Sequence, residues 1–223
     1  MKPTTRRRIK LFAGLAAFFA ALWLLWWTPV VLPLKLFVVL LHEISHAIAA
    51  VATGGVVERI VLHVNEGGAT HARGGNAFVM LSAGYLGSLL WGLLLIELAS
   101  ARPRLAKAAL MLLAASLLII AALFVRNIFG FVFTLLFGAA LLIAARRLRP
   151  RGVALVLLAL GFTSALYALL DIRSDIFRRP GSPSDAFMLA QLTGVPTLVW
   201  GVLWIGIGAA ACWLASRRLL RRI

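Results

Sequence analysis

Cysteine occurs once, at Cys212, so the chain can form no disulfide within itself and no cysteine-ligated metal site. Acidic side chains are scarce as well, with seven Asp and Glu against 23 Lys and Arg and a net charge of +16. Charged residues of both signs make up only 13% of the chain and apolar types 62%, which excludes a soluble globule: 223 residues cannot build a core that hides so much apolar surface. Long polar stretches are equally few. What is present is a series of apolar runs of about 20 residues, the length a helix needs to cross the hydrocarbon core of a bilayer.

These runs predict an all-α polytopic membrane protein with about seven spans. They lie near Ile9 to Thr28, Pro33 to Thr53, Ala77 to Ser100, Leu105 to Val125, Ile128 to Ala145, Val153 to Leu170 and Val195 to Ser216. The first follows a basic segment, as a signal peptide would, but it is long, rich in Trp and has no small-x-small site near its end, so it reads as a retained anchor. The basic residues cluster between the runs, at Arg6 to Lys10, Arg102 to Lys107, Arg146 to Arg151 and Arg217 to Arg222. That pattern marks headgroup contacts with the lipid bilayer and excludes a nucleic-acid partner. With seven spans the clusters fall on both sides of the membrane, and the positive-inside rule then leaves the orientation open. Trp23, Trp26, Trp27, Trp200, Trp204 and Trp213 read as amphipathic rings at headgroup level. Gly84, Gly87 and Ser88 offer a small face for close helix packing.

Two polar stretches interrupt the apolar pattern. In residues 55–75, β-branched residues on either side of Gly67-Gly68 predict a small re-entrant or interfacial β-hairpin. The second stretch, Asp171 to Gly194, holds three of the seven acidic residues, Asp171, Asp175 and Asp185, with Asp185 or Ser184 opening a helix.

The chemistry is concentrated in His42-Glu43-Ile44-Ser45-His46, an H-E-x-x-H pentad inside an apolar run that otherwise carries only Lys35 as a charge. On a helix, imidazoles at i and i+4 share a face and can grip one Zn²⁺, with Glu43 placed beside them as a general base. Ionisable groups at bilayer depth cost several kcal/mol each, about 3 or more, so three within five residues require a compensating charge. A metal provides it. Two His leave a tetrahedral zinc short of a protein ligand, and Asp185, Asp171, Asp175, Glu66, His63 and His71 are the candidates. Asp185 leads, because it opens an apolar helical stretch from which a carboxylate can be aimed inward.

The pentad in the second span, the Gly-rich segment after it and an aspartate near a later span together resemble the site-2-protease family of intramembrane zinc metalloproteases. The compact bacterial branch is the most similar. The resemblance runs through Leu40 to Ala47, Thr53-Gly54-Gly55, Ala83 to Gly87, Ser184-Asp185-Ala186 and Thr193 to Pro196, so it covers the chain from the second span to the last. It implies that His42, His46 and Asp185 hold zinc and that Glu43 activates water. The implied setting is a bacterial inner membrane, and the substrate a membrane-embedded or membrane-proximal protein or peptide. The family's Asp-Gly pair is here Asp185-Ala186. A helical substrate hides its amides, so an extended segment would have to pair with an exposed hairpin edge, for which Ile60, Leu62 and Val64 are the candidates. Water would enter by a polar path near Asn65, Glu66 or Asn127. A catalytically silent scaffold of the same fold and a small transporter are the rival readings.

Overall fold

Prolines and short polar residues set the helix boundaries. Pro33, Pro103 and Pro150 sit in first turns, where a missing N–H costs nothing. Asn76 and Ser184 accept hydrogen bonds from Val79 N and Phe187 N as N-caps, and Gly194, at φ 74°, closes a helix in the left-handed region. In the computed structural model, which describes residues 3–177 and 183–221, the elements are α1 (Pro3–Leu24), α2 (Leu32–Ala52), β1 (Val56–Leu62), β2 (Gly68–Arg73), α3 (Ala77–Ala99), α4 (Pro103–Leu123), α5 (Ile128–Arg147), α6 (Pro150–Phe177), α7 (Asp185–Thr193) and α8 (Thr197–Arg221). Side chains of the basic cluster at Arg6 to Lys10, and most of those at Arg217 to Arg222, lie outside the described residues.

Among the described residues six helices, α2 to α6 and α8, are long and apolar enough to cross a membrane. Helix α1 covers most of the first expected span. The all-α polytopic architecture with a small hairpin is therefore as expected, with α6 extending further than its apolar run through Asp171 and Asp175. Helix α2 is central: 72% of its apolar window is buried, against 28% for α4 and α5 and 17% for α8. Outward-facing Leu112, Ile128, Leu136 and Ile143 leave the apolar belt a bilayer requires.

Phe37, Leu40 and Leu41 of α2 form the core with Leu110 and Leu117 of α4 and Leu157 of α6. Helices α3 and α6 cross at a glycine pair, where a Cβ on Gly92 would lie 2.7 Å from Gly161 O and one on Gly161 would lie 2.7 Å from Gly92 O. Ser164 Oγ donates to Ser88 O (2.7 Å) at the same crossing.

The two strands pair antiparallel, Leu62 with Gly68 and Ile60 with Thr70, with an irregularity between Val57 and Arg59. The turn differs from expectation. Gly67-Gly68 is not its apex: His63 N donates to Gly67 O (2.8 Å), Glu66 takes the left-handed conformation at φ 65°, and Gly68 already belongs to β2. A non-glycine residue in that region is strained, and tertiary bonds hold Glu66 there, since Lys35 Nζ lies 3.0 Å from Glu66 Oε1 and Tyr167 Oη donates to Glu66 Oε2 (3.3 Å). Trp204 and Trp26 also depart from the headgroup reading. Trp204 is buried against Tyr85, and Trp26 lies beneath the Lys35 ammonium at 4.5 Å, because α8 and the segment after α1 pack over the site.

Candidate metal centre

His42 and His46 stand one turn apart near the middle of α2, with ring centroids 4.7 Å apart. Asp185 is the first residue of α7, and since Ser184 is the cap, the carboxylate is free to point inward. Asp185 Oδ2 lies 3.0 Å from His42 Nε2 and 3.2 Å from His46 Nε2. Among the described residues these three are the one group of His, Cys, Asp or Glu whose ligand atoms converge in this way, all within 4.8 Å of one another.

The arrangement fits a cation. His46 Nδ1 lies 2.7 Å from Met80 O, and since a carbonyl only accepts, Nδ1 carries the hydrogen and Nε2 presents a lone pair to the centre. Asp185 Oδ2 is buried and makes no hydrogen bond of acceptable geometry, so an acceptor faces an imidazole lone pair. That contact is repulsive unless a positive charge lies between them. Ligand atoms about 2.0–2.1 Å from a tetrahedral zinc lie about 3.3–3.4 Å apart, close to the two His–Asp separations, and all three ligand atoms lie within 4.8 Å of one another. Room is provided by Gly84 of α3, where a Cβ would fall 2.5 Å from both Asp185 Oδ2 and His42 Nε2.

Glu43 is buried beside this centre and is held by the hairpin. Thr70 Oγ1 lies 2.8 Å from Glu43 Oε2 and 2.9 Å from Glu43 O, and a Cβ on Gly68 would lie 2.5 Å from Glu43 Oε1. On the opposite side the Tyr85 ring meets His42 edge-on at 5.0 Å, while its hydroxyl donates to Asp175.

These groups line a cavity of about 690 Å³. Five of the chain's seven carboxylates, Glu43, Glu66, Asp171, Asp175 and Asp185, face it, and none of the described Lys or Arg does. In a chain of net charge +16 such segregation concentrates acidic groups where a divalent ion would sit, although Glu66 is paired with Lys35. A second cavity of about 270 Å³, lined in part by Trp26, Asn65 and Arg173, shares Glu66, Tyr167 and Asp171 with the first. The polar path expected near Asn65 and Glu66 therefore has a counterpart.

The other candidates fall as follows. Asp171 lines both cavities but is not in the converging group; Asp175 accepts from Tyr85; Glu66 is clasped by Lys35; His63 and His71 are exposed on the hairpin. Asn127 serves β1 instead of a water path, its Oδ1 accepting from Leu62 N (3.1 Å) and its Nδ2 donating to Leu62 O (2.6 Å). Ile60, Leu62 and Val64 do not line the cavity. Ile60 and Leu62 are buried, and Val64 is exposed beyond the strand. The outer edge of β1 is taken by the α4–α5 connection, through Ile60 N to Phe124 O (2.8 Å), Arg126 N to Ile60 O (3.1 Å) and the Asn127 amide. Because Ile60 and Leu62 turn their polar groups outward, antiparallel alternation turns those of their partners Thr70 and Gly68 to the opposite edge, and it is β2 that lines the cavity. The sequence reading gave Thr70 and Tyr85 no role at the site and took Trp204 for a headgroup ring. One signal was available for Tyr85: the chain has two tyrosines, and both line this cavity.

A polytopic helical bundle with an H-E-x-x-H pentad and an aspartate converging at one cavity defines a membrane protein of the metalloprotease kind. The chain belongs to the Peptidase M50B-like family, whose model matches residues 15–215, and with it to the site-2-protease family. No curated protein and no solved structure matches it.

Proposed function

We propose that the protein is an intramembrane zinc metalloendopeptidase that cuts an extended segment of a membrane-embedded or membrane-proximal substrate, in a bacterial cell membrane. The observation that carries the reading is the convergence of His42 Nε2, His46 Nε2 and a buried, hydrogen-bond-free Asp185 Oδ2 next to Glu43. The donor set, two imidazoles and a carboxylate, suits zinc. A zinc ion held by these three residues would supply a Lewis acid that makes water nucleophilic near neutral pH and polarises the scissile carbonyl.

The chain's own groups do the rest. Glu43 accepts the proton of the attacking water and returns it to the leaving nitrogen as the C–N bond breaks, so the products are a carboxylic acid and an amine. Met80 O fixes the tautomer of His46, and the apolar wall around α2 limits bulk water. The free edge of β2 is the place where a substrate strand can add main-chain hydrogen bonds, in place of the β1 residues Ile60, Leu62 and Val64.

The test uses purified protein, a labelled unfolded protein and single-span substrates trapped on Glu43→Gln. A protease retains zinc in Glu43→Gln and loses cleavage. Wild-type protein that binds zinc and cuts neither class of substrate would instead favour a silent scaffold, and transport unaffected by Glu43→Gln would favour a transporter.

A further inference from the structure

We infer that strand β2 holds the general base in place: Thr70 is a positioning residue for the Glu43 carboxylate, and Gly68 is small so that the carboxylate can lie against the strand. This rests on the role proposed for Glu43 and adds a residue to it. A buried carboxylate without a partner is costly and free to rotate about its side-chain torsions. The Thr70 hydroxyl answers both problems. Its single hydrogen has two acceptors in reach, Glu43 Oε2 at 2.8 Å and Glu43 O at 2.9 Å, and the charged acceptor makes the stronger bond.

Gly68 lies two residues earlier on the same strand and touches the other oxygen, since a Cβ there would sit 2.5 Å from Glu43 Oε1. Gly68 is not among the residues with positive φ, so its backbone does not require glycine, whereas the space beside Glu43 does. The strand is itself held on two further sides. Ile60, the partner of Thr70, is bonded to Phe124 and Arg126, and the hairpin tip is clasped by Lys35 and Glu66. Thr70 is thus presented from a fixed platform, which is what aligning a catalytic group within a fraction of an ångström requires. The same strand offers its free edge to substrate, so substrate pairing and alignment of the base are mechanically joined.

The test compares wild type, Thr70→Val, Thr70→Ser, Gly68→Ala and Glu43→Gln for zinc content and for kcat and KM on a labelled unfolded protein. Thr70→Val keeps the shape and removes the donor, so kcat should fall roughly ten- to hundredfold with KM and zinc unchanged. Thr70→Ser restores the donor and should return kcat to within about threefold of wild type. Gly68→Ala should reproduce the loss, and it decides the matter if Thr70→Val loses zinc. An activity-free readout is a Glu43→Cys/Thr70→Cys pair in a Cys212→Ser background, which should form a disulfide on mild oxidation in membranes. Wild-type kcat in Thr70→Val and Gly68→Ala, a change confined to KM, or no crosslink would overturn the inference while leaving the proposed function intact. Full cleavage by Glu43→Gln would overturn the proposed function, and the positioning role with it.

Discussion

Substituting Gly84 by Ala probes the metal centre without altering any ligand. The added methyl would fall 2.5 Å from Asp185 Oδ2 and from His42 Nε2 and Cε1. Ordinary packing needs about 3.5 Å, so about 1 Å of movement must be found. The ligand set tolerates about 0.2 Å before zinc geometry is lost, so the displacement should weaken zinc binding about 100-fold or more. The fold should respond far less. Alanine is worth about 1 kcal/mol over glycine within a helix, and overpacking costs about 1–3 kcal/mol, for a net loss of about 0–2 kcal/mol. Gly206→Ala on α8, where a Cβ meets nothing within 4 Å, is the matched control and should leave zinc binding unchanged. Chelator competition with elemental analysis measures affinity, and thermal unfolding measures stability. Wild-type zinc affinity in Gly84→Ala would show that His42 and Asp185 do not share an ion at this place.

Asp185→Asn should weaken zinc binding in chelator competition far more than Asp171→Asn, since only Asp185 converges with the imidazoles; the reverse order would move the third ligand to Asp171. Ala72→Pro, at a cavity-lining position of β2 with the same alternation as Thr70, should reduce cleavage of trapped substrate while zinc stays bound. Ile60→Pro should instead loosen the hairpin by removing the bond to Phe124 O, seen as faster tryptic cutting at Arg73. Cleavage unaffected by Ala72→Pro would send the substrate to another surface.

The spans and the pentad were legible because both are local: length and apolarity mark a membrane helix, and i, i+4 spacing sets His42 and His46 on one face. The placement of Asp185 was partly legible from a helix start whose cap could be supplied by Ser184. The contacts of the hairpin were not. Its strands follow from Val, Ile and Thr content, but which edge is free depends on residues 124–127 reaching across from another part of the chain, and no periodicity in β1 encodes an Asn127 amide standing in for a peptide group. Glu66 in a left-handed turn was hidden for the same reason, because Lys35 and Tyr167 supply the restraint. Trp204 shows the limit of composition. Tryptophan near a span end suggests the interface, and only the packing of α8 on Tyr85 reveals a core residue.

The central claim is that His42, His46 and Asp185 together hold the metal and Glu43 does not. Elemental analysis of purified wild type, Glu43→Gln, His46→Ala and Asp185→Ala tests it most directly. About one zinc per chain is predicted in the first two and a substoichiometric amount in the others, with all four inserted in the membrane. Full zinc in His46→Ala and Asp185→Ala, or loss of zinc in Glu43→Gln alone, would contradict it.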